Sequence, residues 1–138
     1  MKPKITKSEI ETHSPNVWNK FIDSLMVNTG KNISKLELTH IQKVATLCFW
    51  YDAEMNSGGH SEWFDCYSDV KSQDLIKAID EIGAKKCSEN LIKAIKIGED
   101  DDYMETDSIF YELEEDFNKK IEQFVYKNIN EFFDVIID

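Results

Sequence analysis

The sequence predicts an all-α fold, a compact irregular bundle of about five to seven helices. Three observations carry that expectation. Apolar residues recur at i, i+3, i+4 and i+7 almost throughout, the spacing that lines one face of a helix. The stretches bearing this pattern open on capping residues and close on glycines, as helix ends require. No stretch alternates with period two over a useful length, and both prolines lie in the first 15 residues, so neither strands nor breakers compete further along.

Each element follows in order. Ser14-Pro15 reads as an N-cap followed by proline at the first helical position, where its missing N–H costs nothing. Trp18, Phe21, Ile22 and Leu25 follow on one face, and Gly30 closes the helix. Ser34-Lys35-Leu36-Glu37 has the spacing of a capping box. It predicts a long helix through Ile41, Val44, Ala45, Cys48, Tyr51 and Met55, stopped by Asn56-Ser57-Gly58-Gly59. Ser61–Tyr67 is expected to be a short aromatic turn. Ser72 caps a helix bearing Leu75, Ile76, Ile79 and Ile82, ended by Gly83. A further helix from about Lys85 to Ile97 turns Leu91, Ala94 and Ile95 inward and ends at Gly98. Residues 99–107 read as a loop. Ser108 to about Val135 is helical again, with Phe117, Ile121, Phe124, Val125, Asn128 and Phe132 on its apolar face.

At 138 residues one helical domain over 1–138 is expected, with helix 15–29 packed on the rest. A chain of this length buries about 68–70% of its unfolded surface and folds without staples. It carries 27 acidic residues against 16 basic ones, all lysine, for a net charge of −11. That balance argues against direct binding of nucleic acid or an anionic membrane. The absence of arginine removes the best bidentate phosphate reader. No segment approaches the ~20 apolar residues that span a bilayer. Lys2, Lys4 and Lys7 have no apolar stretch behind them and do not read as a secretory signal. Cys48, Cys66 and Cys87 cannot all pair within the chain and show no CxxC spacing, so they read as reduced thiols of a cytoplasmic protein. Charge is uneven: residues 1–43 sum to +3, 44–90 to −5 and 91–138 to −9.

Two stretches stand out. The first is Asp52-Ala53-Glu54-Met55-Asn56-Ser57-Gly58-Gly59-His60-Ser61-Glu62-Trp63-Phe64. Paired glycines after a helix supply a cap and a sharp turn, with Asn56 closing it locally and Trp63 and Phe64 packing back. A second reading makes Asp52, Glu54, His60 and Glu62 a metal or proton-transfer cluster. Against it, Asp52 and Glu54 point about 200° apart on a helix, and no HExxH spacing is present. No cofactor-binding or catalytic motif is assigned.

These residues resemble the Asx-Gly-Gly motif of the bacterial DNA-mimic protein family named for a nineteen-kilodalton founding member. The likeness runs over about residues 38–133. A helix leads into Asn56, Gly58 and Gly59, then Trp63 and Phe64. The Ala78–Lys86 helix, an acidic linker, Asp107-x-x-Phe110-Tyr111 and a final helix follow. His60 stands where the pattern has an apolar or aromatic residue. The resemblance implies a mainly helical, cytoplasmic protein without catalytic activity or cofactor. The founding member is an acidic dimer that imitates duplex DNA on a DNA-binding transcription factor, so a homodimer and a basic DNA-binding partner are what it implies here. The glycine motif is a folding feature, and the mimicking carboxylates belong to no motif.

The second stretch is Glu99–Asp116. It holds ten carboxylates (Glu99, Asp100, Asp101, Asp102, Glu105, Asp107, Glu112, Glu114, Glu115, Asp116) and no lysine, where an average window of that length holds about 3.5 acids. It reads either as a solvated loop and a favourable helix start or as an imitation of phosphates. Carboxylates at i, i+4, such as Glu112 and Asp116, have Cβ atoms about 5–6 Å apart, which resembles phosphate spacing along one DNA strand, where charge arrives about every 3.4 Å of axis. The sixth and twelfth positions counted from Asp100 are Glu105 and Tyr111, which excludes an EF-hand. Tyr103, Phe110 and Tyr111 are either core or an interface anchor ringed by charge. The expected function is a non-enzymatic acidic protein that occupies a basic DNA-binding protein. The alternatives are an immunity-type protein against a basic toxin or nuclease, and a metal-dependent enzyme around Asp52, Glu54 and His60.

Overall fold

A computed structural model describes residues 2–27 and 37–138. Eight α-helices run through these residues, accompanied by a single pair of three-residue strands. The all-α expectation stands.

Strand β1 (Lys4–Thr6) leads into α1 (Lys7–Glu11). Thr6 and Glu9 form a capping box there, each side chain accepting from the other's amide. Helix α2 (Pro15–Val27) follows. Its Phe21 ring meets Phe49 and Phe132 edge-on at 6.2 and 5.4 Å. Gly30, the Ser34 cap and the side chain of Leu25 lie outside the described residues. The long helix α3 (His40–Ser57) begins later than Ser34 predicted, because Thr39 and Gln42 form the capping box in use. Gly58 caps its end.

The predicted turn at Ser61–Tyr67 is instead a helix, α4 (Gly59–Cys66). Helices α5 (Ser72–Glu81) and α6 (Lys85–Ile97) lie where the periodicity put them. Ile95, expected inward on α6, is exposed. The predicted loop 99–107 is a 3-10 turn (Gly98–Asp101) followed by the start of α7 (Met104–Lys127). The last helical stretch breaks at Asn128, which caps α7 through its own side chain. It resumes as α8 (Ile129–Phe132) and ends in strand β2 (Asp134–Ile136). Strands β1 and β2 pair in parallel, Ile5 opposite Val135. Three residues are too few to print a period-two pattern.

Helix α3 is the centre, touching α4, α5, α7 and α8. Its buried Val44, Leu47, Cys48, Tyr51 and Met55 join Leu75 and Ile79 of α5 with Phe110, Phe117 and Ile121 of α7. Burying one such aliphatic or aromatic side chain contributes roughly 1.5–3 kcal/mol. Of the tryptophans, Trp63 is buried, while Trp18 and Trp50 are only partly so. Among the described residues, no helix is long and apolar enough to cross a membrane.

Candidate functional site

The Asn-x-Gly-Gly segment and the first turns of α7 meet at one junction. Gly59 opens α4 at φ +77°, a conformation that favours glycine. A Cβ there would lie 2.7 Å from Asp107 Cγ, so the carboxylate occupies the space a side chain would fill. Asp107 Oδ1 accepts from the amide of His60 at 3.0 Å and lies 2.7 Å from its Nδ1. Helix α4 has no side-chain cap of its own. A carboxylate from α7, 47 residues away, therefore satisfies an orphan amide at the positive end of α4.

His60 is fully buried and its Nε2 lies 2.6 Å from the Tyr51 hydroxyl, also fully buried. With Nδ1–H donating to Asp107, Nε2 is the acceptor and Tyr51 donates. Burial holds the imidazole below its usual pKa, outweighing the attraction of Asp107, so the ring is neutral at pH 7. Burial raises the Tyr51 phenol well above its usual value, so it too stays protonated. This file of polar groups is sealed by rings: Phe110 lies 5.3 Å from Tyr51, Trp63 5.7 Å, and Phe64 6.2 Å from His60. Trp63 in turn stacks on Tyr67 at 4.3 Å. The Tyr111 hydroxyl donates to the Met55 carbonyl at 2.5 Å.

A second polar set joins α3 to α7 one turn further along. Asp52 and Glu114 face each other between Asn56 and Asn118. Asn56 donates to the Asp52 carbonyl at 2.8 Å and to the Glu114 carboxylate, and Asn118 donates to Asp52 at 3.3 Å. Burial first, then Glu114, raises the Asp52 pKa to about 7, against the opposing pull of Asn118. The neutral form of Asp52 is thereby favoured.

The acidic stretch divides between two surroundings. Asp107 and Glu114 turn to the α3–α4 seam, as above. Glu105, Glu112, Glu115 and Asp116 lie on the solvent arc of α7 at 100° per residue, opposite the buried Phe110, Phe117 and Ile121. Glu99, Asp100, Asp101 and Asp102 are all exposed on the turn before it. Lysines partly offset this arc: Lys93 reaches Glu105 at 2.5 Å, Lys119 reaches Glu115 at 3.4 Å, and Lys120 pairs with Asp116. Exposed pairs of this kind are worth about 0–1 kcal/mol. The tip is held in place. Asp101 accepts from the Glu105 amide at 3.0 Å. Asp102 and Tyr103 take successive left-handed conformations, each costing on the order of 1–3 kcal/mol for a non-glycine residue. Tyr103 is kept there by packing on Gly98, where a Cβ would come within 2.5 Å of its ring, and beside Phe64 at 5.6 Å.

The cluster of Asp52, Glu54, His60 and Glu62 does not form, because α4 leaves α3 at the glycines and carries its residues apart. Asp52 faces α7, His60 enters the core, and Glu54 meets Glu62 and Cys66, whose ligand atoms lie within 4.8 Å of one another. Gly59 meets Asp107, Asn56 joins Asp52 and Glu114, Trp63 packs on Tyr51 and Tyr67, and Phe64 lies beside His60 and Tyr103. Gly58 leaves room for Glu62, whose Cβ a side chain there would meet at 2.8 Å. The partnership of His60 with Tyr51 and Asp107 had no sequence signal beyond an imidazole at a motif position that is otherwise apolar.

A family model described as DMP19-like protein matches residues 36–134. No curated protein and no solved structure matches.

Proposed function

The chain belongs to the DMP19-like protein family, and from that premise we propose that it is a non-enzymatic interaction protein whose acidic face stands in for DNA on a basic DNA-binding protein. The observation that carries the reading is the lysine-free run from Glu99 to Asp116, of which eight carboxylates lie outside the α3–α4 seam, on the rigid turn and the outer arc of α7. Neighbouring charges there lie within the Debye length of about 8 Å at physiological salt. They repel one another until a cationic surface arrives, which also steers the encounter. The fold supports this use, because the carboxylates stand on elements locked to the core rather than on a free loop.

The test is capture of native-cell proteins on the immobilised chain, elution by salt, and competition of each eluted protein between its DNA and this chain. The expected partner leaves its DNA as this protein is added, with log affinity falling steeply against log salt. Combined Asp100→Lys, Glu112→Lys and Glu115→Lys substitutions abolish that competition while leaving the fold intact. DNA-binding proteins that stay on DNA in the presence of excess wild-type protein overturn the reading.

A further inference from the structure

We propose that Met104 and Tyr111 form the apolar centre of this face, so that the partner is a basic protein surface bearing an apolar side chain among its cations; the proposal rests on the interaction reading above. Met104 is 75% exposed and Tyr111 49%, although both sit on a helix whose Phe110, Leu113, Phe117, Ile121 and Phe124 face the core or its edge. Seven residues apart, they share one stripe about 10 Å long. At 100° per residue the exposed carboxylates Glu105, Glu112, Glu115 and Asp116 run along one side of that stripe, while Asp107 and Glu114 on its other side are engaged in the α3–α4 seam.

The chemistry of the stripe suits recognition. The Tyr111 hydroxyl is pinned to the Met55 carbonyl, so its ring face is presented with little rotamer freedom left to lose on binding. The Met104 thioether is unbranched and adapts to the shape set against it. An aromatic and an apolar anchor bordered by charge is the arrangement of a binding hot spot. Charge complementarity selects the occupant. A second copy of the chain would set these carboxylates against their own kind, and an anionic lipid surface is repelled likewise. A polycation without an apolar group would satisfy the outer carboxylates and leave the stripe wet. The fitting ligand has lysine or arginine flanking a leucine-like side chain.

The probes are two helical peptides of equal length and lysine content, one with leucines at i and i+7 between the lysines, the other with glutamines there. Titrated into the whole protein, the leucine peptide binds about tenfold more tightly, the size expected for burying part of one side chain. In Met104→Gln, a substitution at an exposed position that does not touch the core, that preference falls to about twofold or less, while the salt dependence is unchanged. Met104→Gln with Tyr111→Gln removes it. Equal binding of the two peptides overturns the anchor and leaves the acidic surface standing. A preference that survives Met104→Gln places the leucines elsewhere and overturns it too. Failure of both peptides to bind at low salt overturns the acidic reading and the anchor together. Sedimentation showing self-association that Met104→Gln abolishes would assign the stripe to a second copy and overturn the basic partner.

Discussion

Gly59→Ala is the sharpest perturbation of the junction between α4 and α7. Two terms add. An L-residue at φ +77° costs about 1–2 kcal/mol. The new Cβ, 2.7 Å from Asp107 Cγ, must also displace the carboxylate that holds the amide and Nδ1 of His60. Hydrogen bonds to a charged group contribute about 1.5–3 kcal/mol each, and partial relaxation keeps only part of the pair's sum. The total is about 3–5 kcal/mol. For a chain of this size that lowers the midpoint by roughly 10–20 °C. Gly83→Ala is the control: φ is +87° and nothing lies within 4 Å of the added carbon, so it carries the backbone term alone, about 1–2 kcal/mol. Thermal and urea unfolding at pH 7 measure both. In an Asp107→Ala background the steric term vanishes, and Gly59→Ala should then cost no more than Gly83→Ala. If Gly59→Ala matches Gly83→Ala in the wild-type background, the carboxylate does not depend on the missing side chain and the lock is misread.

Three further outcomes follow from the same geometry. Asp52 has a raised pKa in the folded chain, so its contribution is full below about pH 4 and is lost as pH rises to about 7; Asp52→Asn should be more stable than wild type at pH 8, by about 1 kcal/mol after allowance for solvent screening, with the advantage shrinking as pH falls in urea titrations. His60 runs the other way, its lowered pKa removing stability as pH falls from 6.5. His60→Phe keeps much of the volume but strands the Tyr51 hydroxyl and Asp107, costing about 2–4 kcal/mol, and adding Tyr51→Phe should restore part of it in a double-mutant cycle. Among the thiols, burial holds Cys48 well above its usual pKa and Cys87 up to about 11, while Cys66 is only half-buried, so a thiol reagent should label Cys66 first in the native protein, with peptide mapping to check it.

The motif residues and the acidic residues do different work, and this bears on how function is read from such chains. Asn56, Gly59, Asp107, Phe110 and Tyr111 build the junction of α3, α4 and α7. They explain why the motif accompanies the fold. Of the carboxylates that face outward, Asp101 answers a backbone amide, while Glu112 and Glu115 on the outer arc of α7 meet no such demand, and the fold does not depend on them.

What the sequence determined by itself was local. The apolar stripes of α3, α5 and α6, the glycine ends at Gly58, Gly83 and Gly98, and the concentration of acid after Gly98 all rest on interactions three or four residues apart, or on composition. The Thr6-x-x-Glu9 and Thr39-x-x-Gln42 boxes were equally local, and they set the starts of α1 and α3. Only the tertiary structure decided which distant groups meet. It paired Ile5 with Val135, laid Asp107 in the space left by Gly59, buried an imidazole against a phenol, and turned Asp107 and Glu114 away from the carboxylates beside them in sequence. Those choices depend on how the helices cross and on how each buried polar group finds a partner, and no spacing along the chain encodes either.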